Sequence, residues 1–438
     1  MKWGHFILAG IVVSMFYFPF EFTFLPGVNT KMAMGALGLV FVLIAFVYQK
    51  AFVVPKGLLI LLILSSLVSL ISFFSITYNH TPDDTYVSYI ISAAVWLSAA
   101  FVSCTIIHRI HGYLDVELLV SYLAGVCVFQ CAIALLINYI PAVQHFVDRW
   151  VAGGAFYRNI KRLYGIGAAL DIAGTRFSCV LVALGYFIGS KFENLGRTSF
   201  VLYFLAFVII TVLGNMIART TLVGAALGLG YMLLCGLSLL RSPLQSRTSR
   251  FVGTIGTILV VTIPIIIFFY NNNSQFHDLL RFGFEGFFSL AEKGEWEVSS
   301  NDVLEGMIVW PDNTKTWVIG DGYFVSQRFD PNYVGDAPDY AAGYYMGTDI
   351  GYCRFIFYFG IIGLLAICAV MIYAAYICIK EFPHYSLMFW IALLAGFIMW
   401  WKSATDIFVF FALFICASFF TNDSAHIDQE NEIPTKAN

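Results

Sequence analysis

Residues 57–77 read GLLILLILSSLVSLISFFSIT, a run without one charged side chain, preceded by Lys56 and followed closely by Asn79 and His80. About 20 such residues in a helix span the ~30 Å of hydrocarbon in a bilayer. Away from water, a helix satisfies every backbone donor and acceptor within the segment itself. Eleven further apolar stretches obey the same rule, near 6–25, 32–49, 87–107, 117–140, 176–191, 198–216, 220–240, 251–270, 353–379, 385–400 and 404–420. The sequence therefore predicts an all-α, polytopic membrane protein with about twelve transmembrane helices. The stretch 6–25 lacks a clean small-residue cleavage site before its polar break, so it reads as a retained span rather than a signal peptide.

Composition agrees. Of the 438 residues, 60% are hydrophobic and 12% charged, against about 25% charged in an average soluble chain. So little charge cannot cover a water-facing surface of this size. A soluble enzyme, a nucleic-acid binder and a disordered chain are excluded. The nine cysteines sit in or beside apolar runs and avoid the long polar segment. They read as small packing residues, not as disulfides or zinc ligands.

Charge placement gives an orientation. Twelve spans put both termini on one side, together with loops holding Lys50, Lys56, Arg109, Lys191, Arg197, Arg241, Arg247, Arg250 and Lys380; Lys2 and Lys436 bring the total to eleven basic residues. The opposite short loop, 78–86, holds none. The positive-inside rule then places both termini in the cytoplasm. The expected organisation is nine helices over 1–270, including an arginine-bearing outer loop at 141–176, then a large outer loop at 271–350. Three helices over 351–420 and a cytoplasmic tail at 421–438 complete it.

Two outer segments stand out. The loop 141–176 carries Arg149, Arg158, Lys161, Arg162 and Arg176, against the orientation bias. Either the topology differs or these cations are kept to bind an anion. The segment 271–350 has thirteen Asp/Glu and four Lys/Arg, a net of −9, with Trp296, Trp310 and Trp317 among many tyrosines. Eighty residues exceed a simple connector, so partial folding into short helices on the membrane is expected. No internal repeat is visible, which weighs against the two-halves plan of many transporters.

The chain has no phosphate-binding glycine loop and no nucleotide fold, so no nucleotide cofactor is expected, and no metal is required if arginines bind the anion. Arg219 lies between two apolar runs, where an arginine is costly. It either snorkels to the interface or offers its planar fork to a phosphate. In the stretch from Arg158 to Arg176, Arg158, Arg162 and Arg176 are candidate anion ligands and Asp171 a candidate orienting group; the alternative is a solvated loop touching headgroups. At the exit of the long loop stand Asp349, Tyr352 and Arg354. A carboxylate there serves as a general base if it reaches a substrate hydroxyl, or simply as an acid at a helix start. Lys402, after Trp400-Trp401, is either an interfacial anchor or a cavity-facing cation. Asp83/Asp84 and Asp336/Asp339 read as turn acids.

These marks resemble the Wzy-type O-antigen and capsule polymerases and the related O-antigen ligases. They are the Arg162 to Arg176 loop, Ala218-Arg219 between two spans, Gly320-Asp-Gly322 in the long loop, and Asp349 followed by Gly360-Ile-Ile-Gly363. Ligases usually carry His-Asn at the loop exit, where this chain has Asp349-Ile350; that favours a polymerase. The resemblance implies a GT-C-like architecture in the bacterial inner membrane, with the large loop periplasmic. It also implies glycosyl transfer between undecaprenyl-pyrophosphate-linked glycans. Asp349 would be the base, and Arg162, Arg176, Arg219, Arg281 or Arg354 the pyrophosphate ligands. A chain-length regulator and a flippase would be partners. The rivals are a ligase, which would transfer glycan to lipid A-core, and a flippase or proton-coupled transporter, which would form no glycosidic bond.

Overall fold

The structure is a computed structural model that describes residues 2–49, 55–159, 162–190, 195–240, 245–325 and 344–431. It is all-helical, 78% helix with no strands among the described residues. The first seven helices are α1 (Lys2–Tyr17), α2 (Thr30–Gln49), α3 (Lys56–Asn79), α4 (Tyr89–His111), α5 (Val116–Tyr139), α6 (Pro141–Trp150) and α7 (Gly154–Asn159). Next come α8 (Leu170–Ser190), α9 (Arg197–Ile217), α10 (Thr221–Leu240) and α11 (Gln245–Asn272). The long polar segment forms α12 (Ser274–Gly283), α13 (Glu285–Lys293), α14 (Ser299–Gly306) and α15 (Thr314–Val318). The last three are α16 (Gly351–Glu381), α17 (Ser386–Met399) and α18 (Phe408–Asn431).

Six of these, α3, α4, α5, α8, α9 and α16, are long and apolar enough to cross a membrane. The hydrophobic runs explain them, and local signals set their ends. Asp115 caps α5 by accepting from the Leu118 amide at 2.7 Å. Gly112, at φ +79°, ends α4 in the left-handed conformation that glycine adopts cheaply. The 271–350 segment does fold partly into short helices. Asn273 and Asn313 cap α12 and α15 through the Phe276 and Thr316 amides.

Helix ends differ from the hydropathy boundaries where polar residues stay in helical register. α8 begins six residues before the apolar run, so Asp171 and Arg176 are helical rather than loop residues. α1 ends at Tyr17, and residues 18–29 form a turn bridged at Glu21–Asn29 and at Phe22–Val151.

α8 is the hub: 94% of its apolar window is buried inside the protein, and it packs on α5, α9, α10 and α17. Its contact with α10 is close because glycines face backbone. A Cβ on Gly228 would meet the Leu181 carbonyl at 2.7 Å, and one on Gly224 would overlap the backbone of Ser178. Gly224 and Gly228 form the small-xxx-small spacing that lets membrane helices approach closely.

α16 is broken. Phe359 and Gly360 leave helical geometry, Gly360 taking φ 69°, ψ −175°, a region essentially restricted to glycine. The break frees carbonyls that must find donors. The Asp321 amide donates to Phe357 O at 2.6 Å and the Gly322 amide to Tyr358 O at 3.1 Å; the Ser75 hydroxyl adds a bond to Tyr358 O at 2.7 Å. Gly320 and Gly322, both at positive φ, let this turn sit against α16. The Gly320-Asp-Gly322 motif is thus a plug in a broken helix. Asp83, buried, clamps the chain just beyond the motif by accepting from the Phe324 and Val325 amides at 2.7 and 2.9 Å.

Candidate functional site

Every described segment that carries a candidate residue converges on one end of the bundle. The Thr23 hydroxyl donates to Arg149 O at 2.6 Å, joining the 18–29 turn to the 140–169 segment. Gln130 grips Ile166 through both its amide and its carbonyl, 2.9 Å each, which holds the glycine-rich entry to α8. Thr175 on α8 donates to Thr405 at 2.8 Å, tying α8 to the 400–407 connection.

The first turns of α8 then place their charged groups. Asp171 pairs with Lys402 at 3.0 Å and accepts from the Thr220 hydroxyl at 3.2 Å. Asp349, just before α16, lies 3.6 Å from the Arg354 guanidinium and accepts from Ser403 at 3.4 Å. Because Lys402 and Ser403 are adjacent, the two pairs form one cluster. Arg354 is buried, its guanidinium 3.8 Å from the Phe324 ring centre and 4.3 Å from that of Tyr344. It also donates to Phe324 O at 3.3 Å.

The field at Asp349 is unusual. Its carboxyl is raised to about 6, chiefly by burial and further by Asp171, against the lowering pull of Arg354, Lys402 and Ser403. The Tyr344 hydroxyl is raised by burial and then by Asp349. A carboxyl titrating near 6 changes charge close to neutral pH, which suits proton transfer.

No protein-family model, characterised protein or solved structure matches this chain.

The other candidates divide. Arg176 is 7% exposed, with its guanidinium 5.8 Å from the ring centres of both Phe18 and Trp96 and its Nε without a partner. Lys31 stands over the same Trp96 ring at 4.4 Å, and Asp406 lies within electrostatic reach of both cations. Arg162 stacks on Phe282 at 4.8 Å and lines a cavity of about 640 Å³ beside α12. Arg219 spends its donors on protein. It bonds Phe282 O at 2.9 Å, Ser300 at 3.1 Å and Glu285 at 2.8 Å, with its guanidinium 4.0 Å over Phe282. It fastens the turn between α9 and α10 to the 273–325 segment.

Arg281 is held by Glu292 through two 2.7 Å bonds, so its fork is already filled. The Tyr352 hydroxyl donates to Phe397 O at 2.8 Å, which gives it a packing contact in the wall. The Arg158 side chain, Lys161, Asp336 and Asp339 lie outside the described residues. All nine cysteines are free thiols, and no group of three or more His, Cys, Asp or Glu able to hold a metal occurs among the described residues.

Lys31, Trp96, Asp83, Glu285 and Asp406 had no signal in the sequence that set them apart. Lys31 and Asp406 sit at the edges of apolar runs, where a charge reads as a boundary marker. The one available clue was that, in the twelve-span topology expected from the sequence, each flanks a run on the same side as the 141–176 loop.

Proposed function

We propose that the chain is a polysaccharide polymerase of the bacterial inner membrane, joining undecaprenyl-pyrophosphate-linked repeat units by glycosyl transfer. The observation that carries this reading is Asp349: a half-buried carboxyl titrating near 6, with Lys402 and Arg354 beside it, at the end bearing the long polar segment. In this reading all twelve apolar runs span the membrane, both termini are cytoplasmic and the 271–350 segment is periplasmic.

Asp349 accepts the proton of the acceptor sugar's hydroxyl as that oxygen attacks the anomeric carbon of the donor. The new C–O bond forms as the bond to the pyrophosphate oxygen breaks, and the electron pair leaves with the pyrophosphate. Attack opposite the leaving group inverts the anomeric centre. Lys402, Arg354 and Arg176 supply positive charge for the departing pyrophosphate, and such charge acts strongly in a site with little water. Arg176 and Arg354 each keep a buried, unpartnered Nε for a ligand bond. Arg219 serves by holding the outer segment over the site, and its own fork reaches a phosphate only by releasing Glu285.

The test is reconstitution of the purified chain in liposomes with a lipid-linked repeat unit. A ladder of longer lipid-linked products, lost in Asp349→Asn, supports the reading. A product that never exceeds one repeat sinks it. Appearance of glycan on lipid A-core identifies a ligase instead, and repeat-unit translocation without a new glycosidic bond identifies a flippase.

A further inference from the structure

A second cleft opens beside the charged cluster, between the end of α3, the start of α15 and the Tyr323 and Tyr345 strips. Its volume is about 590 Å³, and Trp310, Tyr323, Tyr345, Asn79, Asp312 and Asp321 line it. Trp310 is 44% exposed yet lies flat, its ring stacked on Trp317 at 5.8 Å and 10°. Trp317 is fixed in turn by its indole N–H, which donates to Pro311 O at 2.9 Å. Tyr323 and Tyr345 stack on each other at 5.1 Å and 20°. Trp310 is thus a fixed aromatic surface at the cleft, held by its stack on the anchored Trp317.

The polar lining is pre-set. Lys315 Nζ is saturated by Asn79 Oδ1 at 2.9 Å, Gly320 O at 3.2 Å and Asp321 Oδ1 at 2.6 Å. Thr316 also donates to Asp321 Oδ1 at 2.6 Å. The second Asp321 oxygen has a single longer contact, from the Tyr345 hydroxyl at 3.3 Å. Lys315 and Asp321 neutralise each other, and Asp312 leaves the cleft with a net negative charge.

We infer that this cleft is a saccharide subsite that takes a neutral or amino-sugar unit of the glycan. A pyranose has one C–H-rich face, which lies on Trp310, and an edge of hydroxyl donors, which the carboxylates of Asp321 and Asp312 accept. The acidic lining turns away uronates and phosphates, the opposite preference to that of the Lys402 and Arg354 cluster. The two sites share a wall. Tyr323 and Tyr345 face the cleft, while their neighbours Phe324 and Tyr344 flank Arg354. The identity of the occupant rests on the glycosyl-transfer reading.

The experiment presents the purified full chain in nanodiscs to an array of defined oligosaccharides: neutral, N-acetylated and uronate. Wild type is expected to bind neutral or N-acetylated members above uronates. Trp310→Ala is expected to lose roughly tenfold or more in binding, as for a central aromatic contact, and Trp310→Phe to keep most of it. Asp349→Asn is expected to bind like wild type while failing to elongate a lipid-linked donor. Binding to no array member, equal binding by Trp310→Ala, or preference for uronates overturns the subsite. Trp310-dependent binding without any elongation by wild type overturns the polymerase reading and leaves the subsite standing.

Discussion

Asp349 gives the sharpest test of the chemistry, because its neighbours push it in opposite directions. If it acts as the base, transfer requires the ionised form. With a midpoint near 6, about a tenth of the molecules are competent one pH unit below that midpoint and about nine tenths one unit above. The rate should therefore rise about tenfold from acid to neutral pH and then level off. Arg354 lies 3.6 Å away, where Coulomb's law at an effective dielectric of about 20 gives at most about 4–5 kcal/mol of attraction. One pH unit corresponds to about 1.4 kcal/mol, which caps the shift at about three units, so Arg354→Gln should raise the midpoint by about one to three units. Asp171→Asn should lower it, since it removes a like charge and releases Lys402 from its partner. Initial rates in proteoliposomes between about pH 5 and 8 read the midpoint, and carbon-13 NMR of labelled aspartate reads it independently of turnover. A wild-type midpoint at the ordinary carboxylate value of 3.8, or shifts of the same sign in both variants, would refute the electrostatic reasoning.

Three further outcomes follow from the geometry. Gly360→Ala forces a Cβ into the Val318 carbonyl at a glycine-only backbone position; it should destabilise by about 3 kcal/mol or more, seen as a lower unfolding temperature in detergent, and an unchanged temperature would mean that the α16 break is not fixed. Gly224→Val drives a branched side chain into Ser178 on α8; overpacking of about 1–3 kcal/mol should appear as loss of a monodisperse species on size exclusion, whereas a Val substitution at the open Gly230 should not. Arg219→Ala removes the Glu285 pair and the bond to Phe282 O, at a cost of about 1–3 kcal/mol; limited proteolysis should cut the 273–325 segment faster, and equal cutting rates would show that Arg219 does not anchor it.

The loss expected at Arg219 also marks where local reading stopped. An arginine between two apolar runs announced itself as costly and therefore used. The sequence did not show whether its partner was a phosphate or Glu285, because that choice depends on how α12 and α13 fold back over the α9–α10 turn. Asp349 was legible as a carboxylate at a helix mouth. Its raised midpoint was not, since that comes from burial and from Asp171, which arrives from a distant part of the chain. The Gly320-Asp-Gly322 motif was visible as a pattern, and only the break in α16 shows what it docks into.

The sequence by itself determined the class of the molecule. Hydrophobic burial is nearly additive over neighbouring residues, so a run such as 57–77 declares an apolar helix without reference to anything else. It also determined which polar residues were too costly to be incidental. The tertiary structure decided who meets whom. Thr175 and Thr405 touch although 230 positions apart, and their contact brings Asp171 to Lys402 and so beside Asp349. Such pairings depend on the packing of α8 against α10 and α17, where glycines set the helix spacing. A hydropathy pattern fixes which residues avoid water, and only the packed bundle fixes which charges are left facing one another.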